Sequence, residues 1–200
     1  MEILNKIIYW ISTGLLVPTV LTLIFLFIRG VLLLGGFYGF YVNRLKNNKR
    51  LSPVLRDLTP GGLRQLEESN THRNSLYTAS LDRLLTYEES KVHREKILAD
   101  FELASEKDLD LSRTLSKVGP ILGLMGTLIP IQPALVGLTN GDLSSIAQNM
   151  QEGFASTIIG LVIGGIGFLT LQIKQRWHNE DLANLEFVNE IIDEKQKKTV

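Results

Sequence analysis

The sequence predicts an all-α membrane protein with three transmembrane helices and long cytoplasmic helical extensions. Two observations carry this prediction: three apolar stretches are long enough to cross a bilayer, and the charged residues are segregated from them. Charges are almost absent from residues 7–42 and 118–173, and they crowd into residues 43–117 and 174–200. A soluble domain mixes both residue types along amphipathic elements, so this segregation indicates a membrane protein.

The first span is expected over about residues 7–28, which supplies the ~20 residues that a bilayer core requires. Its apolar run is longer than a signal-peptide core, so we expect it to be retained. Apolar sequence continues past Arg29 to Asn43. We favour one long helix that leaves the membrane and enters a protein-covered collar, with a turn at Gly35-Gly36 as the alternative. Arg29 is then a snorkelling anchor at the inner headgroups, or, as the alternative, a functional charge within the membrane.

The second and third spans are expected over about residues 118–137 and 146–173, joined as an antiparallel hairpin by the short polar turn 138–142. Basic residues follow the first span, precede the second and follow the third, whereas the short turn has none. The positive-inside rule therefore places the N-terminus and the turn outside, and the long polar segments in the cytoplasm. The predicted divisions are the first transmembrane helix 1–43, a cytoplasmic helical domain 44–117, the transmembrane hairpin 118–173 and a cytoplasmic C-terminal helix 174–200.

The cytoplasmic segments are also expected to be helical. Thr59-Pro60-Gly61-Gly62 and Ser69-Asn70-Thr71 predict helix breaks. From Ser75 to Lys117 there is no Pro or Gly, and apolar residues recur at helical spacing, so we expect one amphipathic helix leading into the second span. These helices and the tail carry more apolar stripe than one chain could cover. A bundle between subunits would cover it, and so would a local helical hairpin.

Composition argues against several kinds of function. The formal net charge is zero, so no global field draws the chain to nucleic acid. The chain has no cysteine, which removes disulfides and zinc–cysteine sites. His72, His93 and His178 lie in charged segments without a second ligand at helical spacing, so we expect surface histidines rather than metal ligands. No nucleophile–base set or phosphate loop is present, and we expect neither an enzyme nor a cofactor.

Both helices of the predicted hairpin carry small residues at three- and four-residue spacing, which places them on one face of each helix. In lipid, small residues hold helices together because they let the backbones approach closely. We interpret the glycines as packing residues that shape the assembly and carry no chemistry: Gly119, Gly123, Gly126, Gly160, Gly164 and Gly167.

Three polar residues of the hairpin are candidates for an ion pathway. Thr127 and Thr157 bring hydroxyl groups to the small-residue stripes, although a threonine in a membrane helix often bonds its own i−4 carbonyl. Glu152 lies five residues before Thr157, where its carboxylate must reach water, a partner or a cavity. Between Val118 and Gln151 the chain has no charged residue except Asp142 of the outer turn. A titratable group at mid-membrane would therefore come from another chain.

The strings GPILGLMGTLIPI and QEGFASTIIGLVIG resemble the second- and third-span signatures of the ExbB/TolQ/MotA family, and the length and topology are similar to its ExbB and TolQ branch. The resemblance implies that Thr127 and Thr157 line a pore and face the ionisable Asp of a small single-span protein of the ExbD/TolR/MotB type. It implies that Glu152 is the acidic residue near the outer part of that pore.

The resemblance also implies a homo-oligomer, a pentamer around two partner helices in the inner membrane. Such an assembly couples proton or sodium motive force to mechanical work on a cell-envelope machine. Two alternatives stay open on the residues alone: a self-sufficient ion channel, and a membrane scaffold in which both threonines would be dispensable.

Overall fold

A computed structural model describes residues 2–70, 75–139 and 141–199 of the chain. Three helical segments within these ranges are long and apolar enough to cross a membrane, which confirms the predicted all-α architecture with three spans. Thr71, His72 and Asn140, which entered the predictions above, lie outside the described residues. The described helices are α1 (Glu2–Gly14), α2 (Leu16–Arg56), α3 (Leu63–Ser69), α4 (Leu76–Thr86), α5 (Lys91–Thr139) and α6 (Leu143–Thr199).

The first span is interrupted at Leu15, between α1 and α2. Pro18 has no N–H to donate to the carbonyl of Gly14, so the helix loses one backbone hydrogen bond at this point. The N–H of Leu15 still donates to the carbonyl of Ile11 at 3.1 Å, and the carbonyl of Leu15 accepts from Thr19 at 3.1 Å. Helical bonding therefore continues on both sides of the interruption.

Beyond this point α2 runs unbroken through Gly35 and Gly36 to Arg56. The expected continuation of the helix past Arg29 is thus confirmed, the alternative turn at Gly35-Gly36 does not form, and the protein-covered collar stays a prediction. Arg29 is exposed, with its guanidinium carbon 5.4 Å from the centre of the Phe25 ring. Its place at the inner headgroups stays a prediction.

The long helix expected from Ser75 to Lys117 is in fact two helices, because residues 87–90 form a turn between α4 and α5. The fully buried side chain of Arg94 donates to the backbone carbonyl of Glu88 in that turn and to the carboxylate of Asp193 on α6. A buried guanidinium requires such acceptors, so this tertiary contact stabilises the turn. The prediction of an unbroken helix rested on the absence of Pro and Gly from this segment. It was wrong because the turn is stabilised by the tertiary contact of Arg94, which the local sequence does not show.

The chain divides into two compact units, which are described separately. The apolar unit comprises Met1–Gly35 with Leu111–Leu171, and the charged unit comprises Gly36–Asp110 with Gln172–Val200. In the apolar unit, Leu23 and Leu26 of α2 are buried together with Leu115 of α5 and Ile163 of α6. One stripe of the first span thus packs on the hairpin, while many of its other described apolar side chains are exposed, as expected of surface that faces lipid.

The charged unit has a leucine-rich core of its own, to which α2 to α6 all contribute. This core covers apolar stripes that the sequence left without an assigned partner, so packing within one chain accounts for much of them. Its buried members are Leu51, Leu55, Leu58, Leu63, Leu66, Tyr77, Leu81, Leu84, Leu85, Ile97, Phe101, Leu185, Val188 and Ile192.

Buried charged groups also connect the helices of this unit. Lys174 Nζ of α6 donates to both carboxylate oxygens of Asp108 on α5, at 3.1 and 3.0 Å, and His178 Nε2 lies 3.1 Å from Asp108 Oδ2. The hydrogen bonds from His178 and Lys174 hold the pKa of Asp108 below its usual value. Arg44 of α2 donates to Asp181 at 2.7 Å, and burial nevertheless raises the pKa of the Asp181 carboxyl.

This network corrects one prediction. His178 is only 6% exposed, and the expectation of a surface histidine was wrong because Asp108, which is distant in sequence, pairs with it from α5. His93 is exposed as expected, with its ring stacked on Tyr87 at 5.2 Å.

Candidate ion pathway in the hairpin

The hairpin of α5 and α6 is closed by a tight turn in the predicted place. Gly141 adopts a φ of +73°, a left-handed conformation that favours glycine. The N–H of Asp142 donates to the carbonyl of Gly137 at 2.9 Å, and the Asp142 carboxylate accepts the N–H of Ser145 at 3.0 Å in the first turn of α6. A carboxylate at this position satisfies a free helix N–H and starts α6 directly after the turn.

Below the turn, the two helices approach through their glycines. A Cβ placed on Gly160 would lie 2.6 Å from the Cα of Gly123 and 2.7 Å from the carbonyl oxygen of Gly119. A Cβ on Gly126 would lie 2.6 Å from the Cβ of Ser156. Real side-chain atoms do not tolerate such separations, so the backbones can meet at this distance only with glycine present.

The same contact continues along the hairpin to the end of the apolar unit that lies away from the turn. A Cβ on Gly164 would lie 2.5 Å from the ring of Pro120, and one on Gly167 would overlap the backbone nitrogen of Ser116. All six glycines singled out in the sequence therefore lie on the contact between α5 and α6. They pack this chain against itself, whereas the sequence had suggested packing against helices of an assembly.

Thr127 and Thr157 meet across this glycine contact, and their hydroxyl oxygens form a direct hydrogen bond. Thr127 Oγ1 also lies within donor distance of two backbone carbonyls, those of Gly153 at 3.1 Å and Gly123 at 3.2 Å. Thr157 Oγ1 lies 3.2 Å from the same Gly123 carbonyl across the hairpin. Both side chains are half-buried, so the pair is tied into the hairpin and still accessible from one side.

This geometry leaves hydrogen-bonding capacity in the pair. Each threonine hydroxyl has one proton to donate and two lone pairs to accept with. With two protons and several acceptors within reach, Thr127 and Thr157 can satisfy each other and the carbonyls in more than one arrangement. Lone pairs then remain for a further donor, and the site carries no fixed charge.

Glu152 is exposed, and its carboxylate accepts from the Gln148 amide one turn earlier in α6 at 3.5 Å. It makes no side-chain hydrogen bond to Thr127 or Thr157. The structure thus brings the two threonines together and leaves the predicted acidic residue apart from them, nearer the turn between α5 and α6.

Two residues of the site were missed in the sequence. Gly153 gives the pair room, because a Cβ there would lie 3.3 Å from the Cα of Thr127. Gly153 lies seven residues before Gly160, which itself lies seven residues before Gly167. This spacing could have indicated that Gly153 belongs to the same helix face. Ser156 carries a third hydroxyl at this level, which donates to the carbonyl of Glu152 at 3.0 Å. Among the described residues, no cluster of acidic and histidine side chains could hold a metal ion.

Together these features define a multi-pass helical membrane protein with a hydroxyl-bearing helical hairpin, whose only acidic or basic residues between Val118 and Ile173 are Asp142 and Glu152. Residues 67–186 match the MotA/TolQ/ExbB proton channel family, and since this is more than half of the chain, the protein belongs to that family. The resemblance of its two hairpin motifs is thereby confirmed. Among curated proteins, none matches the chain.

Proposed function

We propose that this chain is the ion-conducting, stator-like subunit of a motor that couples proton or sodium motive force to mechanical work on a cell-envelope partner. It assembles as a pentamer around a small single-span protein of the ExbD/TolR type, which supplies a membrane Asp. The complex sits in the inner membrane with the N-terminus outside and the C-terminus in the cytoplasm, as the distribution of basic residues favours.

The Thr127–Thr157 pair is the observation that supports this proposal most directly. The pair offers hydroxyl oxygens in a hairpin whose only acidic or basic residues between Val118 and Ile173 are Asp142 and Glu152, both toward the outer end. Conduction requires binding that is weak enough for the ion to leave, and neutral oxygens meet that requirement. The group that loads and releases the ion then belongs to the partner.

Hydroxyl groups suit a partner carboxyl group in both of its protonation states. A protonated carboxyl donates a hydrogen bond to a free lone pair of Thr127 or Thr157, whereas an ionised carboxylate accepts a hydrogen bond from either hydroxyl after rotation. A fixed positive charge would hold the carboxylate ionised, and a fixed negative charge would hold it protonated. The threonine pair permits the cycle between the two states.

The energy available per ion is adequate for a mechanical step. One elementary charge that crosses a potential of ~100 mV releases about 2.3 kcal/mol, several times thermal energy.

The substitution Thr157→Val tests the assignment. It keeps the branched shape and removes the hydroxyl, so we expect ion flux by the reconstituted complex to fall to background while assembly is unchanged. Thr22→Val is the matched control, because Thr22 is exposed on α2 and its hydroxyl donates to the carbonyl of Pro18 in its own helix. Full flux in Thr157→Val would rule out the pore role.

Native mass spectrometry of the complex from its own membrane tests the partnership. Five copies of this chain with a small single-span protein would support the motor. A bare homo-oligomer that still conducts would make the chain a self-sufficient channel. A complex that binds other proteins but conducts no ions would make it a scaffold.

A further inference from the structure

Charges of opposite sign are segregated onto two helices of the charged unit. α2 contains no acidic residue, and after Arg44 it carries the basic residues Lys46, Lys49 and Arg50. Residues 177–194 of α6 contain no Lys or Arg. The acidic residues of that stretch are Glu180, Asp181, Glu186, Glu190, Asp193 and Glu194. A solvated helix face usually mixes both signs, so this segregation calls for a physical reason.

Two sets of these charges are exposed and have no opposite charge beside them. The basic patch is Lys46, Lys49 and Arg50 of α2, and the acidic patch is Glu186 and Glu190 of α6. No ion pair joins any of these five residues to another residue that the structure describes. Like charges three or four residues apart on a helix repel one another. A partner of opposite sign would relieve the repulsion in both patches.

The two patches lie at the same height along parallel helices. The ring of Phe37 stacks on Trp177 at 5.4 Å, and further along both helices Arg44 donates to Asp181 at 2.7 Å. α2 and α6 therefore run in the same direction. Lys49 of α2 and Glu186 of α6 each lie five residues beyond the contact between Arg44 and Asp181, a rise of about 7.5 Å on both helices.

Each patch faces away from the core of its own chain. Lys49 is two residues before the buried Leu51, and Glu190 is two residues after the buried Val188. Two residues correspond to a rotation of about 200° around a helix, so both charged side chains point to the opposite side of their helix from the core. The two patches of one chain therefore do not neutralise each other.

Each patch also borders an exposed apolar side chain. Leu45 precedes the basic patch and is 46% exposed, and Phe187 lies within the acidic patch and is 39% exposed. A surface that combines apolar side chains with unpaired charges is typical of a protein interface.

Symmetry favours a second copy of this chain as the partner. A membrane complex with cyclic symmetry holds the same residue of every copy at one height. The basic patch of one copy and the acidic patch of the next can therefore meet without a shift along the membrane normal. Because the two patches are different surfaces, the contact is head-to-tail, which is the arrangement that closes into a ring.

We propose that Lys49 and Arg50 of one copy pair with Glu186 and Glu190 of the neighbouring copy, with Lys46 at the edge of the same contact. Exposed ion pairs contribute little affinity, so these charges select the neighbour and fix its register. This inference rests on the ring assembly that is part of the proposed function.

Cross-linking between copies tests the contact directly. The chain has no cysteine, so engineered cysteines react without background. Two differently tagged full-length chains are coexpressed, one with Lys49→Cys and the other with Glu186→Cys, and are treated in their membrane with a short bismaleimide. We expect a product that carries both tags, in at least about tenfold excess over a control pair, because residues held in contact have a high effective concentration.

The control pair replaces Glu186→Cys by Glu95→Cys. Glu95 is also an exposed glutamate, 62% exposed, and lies on α5. Its neighbour Arg94 donates to Asn189 of α6, so Glu95 lies at a height similar to that of Glu186. Equal cross-linking of the two pairs would overturn the inference.

An exchange of charges tests the pairing. Glu186→Lys with Glu190→Lys sets like charges against each other, and we expect the assembled fraction in native mass spectrometry at low salt to fall about tenfold. Lys49→Glu with Arg50→Glu, added to the same chain, restores opposite signs and should restore assembly. No loss in the first variant, or no recovery in the exchanged one, would overturn the inference.

An anionic lipid surface as the partner of the basic patch predicts a different pattern. Lys49→Glu with Arg50→Glu would then reduce assembly only in liposomes that contain phosphatidylglycerol, and the variant of the acidic patch would assemble normally. That pattern would also overturn the inference.

Ion flux measured on the same complexes separates this inference from the proposed function. If the native complex conducts and the patches do not cross-link, this inference alone fails. If the patches cross-link and the charge exchange restores assembly, but the native complex conducts no ions, the contact stands and the proposed function fails. A monomer in native mass spectrometry would overturn both.

Discussion

The apolar unit and the charged unit are held together by different means. In the apolar unit, α5 and α6 touch through glycine backbones, and the side-chain hydrogen bonds between them join hydroxyls to hydroxyls and carbonyls. In the charged unit, leucine and aromatic side chains fill a core, and α6 reaches α2 and α5 through ion pairs.

The surrounding solvent explains the difference. In water, each Å² of buried apolar surface contributes about 25 cal/mol, so large side chains stabilise a core. In lipid, an apolar side chain is as favourable when it faces the lipid as when it is buried in the protein. Helices therefore associate through close packing and polar contacts. The apolar unit should therefore respond mainly to changes of shape, and the charged unit to loss of burial or charge.

The largest effect is expected for Gly160→Leu in the apolar unit. Its new Cβ would meet three backbone atoms of α5 at 2.6 to 2.9 Å, and a backbone cannot yield as a side chain can. We expect a loss of about 3 kcal/mol or more, the upper end for overpacking, measured by denaturant titration in detergent with circular dichroism. Gly165→Leu is the control, because no atom lies within 4 Å of a Cβ there. Equal stability of the two variants would contradict the glycine contact.

A smaller effect is expected for Arg94→Met in the charged unit. Arg94 is fully buried and donates to Asn189, Asp193 and the turn carbonyl of Glu88. Methionine keeps much of the volume but leaves these acceptors without their donor, at a cost of about 2 kcal/mol, since Asp193 is partly exposed to solvent.

The control for this prediction is Lys96→Met, which removes a surface ion pair with Asp100 on the same helix. Such pairs contribute less than about 0.5 kcal/mol. Hydrogen exchange of residues 87–90 would report the loss directly, since Arg94→Met should expose that turn first. Unchanged protection there would mean that Arg94 does not stabilise the turn.

The smallest effect is a dependence on acid. The native pKa of Asp108 is lowered by His178 and Lys174, so the contribution of its carboxylate is present above its unfolded pKa, near ~4. It is lost as the pH falls through the lower native pKa. Asp108→Asn should therefore be less stable than the native chain at pH 7, and the difference should shrink below pH ~4. Thermal denaturation of both proteins over a series of pH values measures this difference in stability. A difference that stays constant with pH would contradict the prediction.

Much of the candidate site could be predicted from the sequence. Thr127, Thr157 and the glycines have a regular spacing, and spacing on a helix determines which residues share a face. Their partners could not be predicted in the same way. The glycines were assigned to contacts in an assembly, whereas they close the hairpin of one chain. The break at residues 87–90 and the burial of His178 depend on Arg94 and Asp108, whose partners are far away in sequence.

The sequence by itself determined the membrane character of the protein, the number of spans and the hydroxyl-bearing hairpin. These follow from the length of apolar runs and from periodicity, which are local properties of the chain. Only the tertiary structure decided that the two threonines share a hydrogen bond, that Glu152 stands apart from them, and that α6 forms ion pairs with α2 and α5. Each of these features depends on which faces of sequence-distant helices are in contact. The packing of all the helices together determines those contacts.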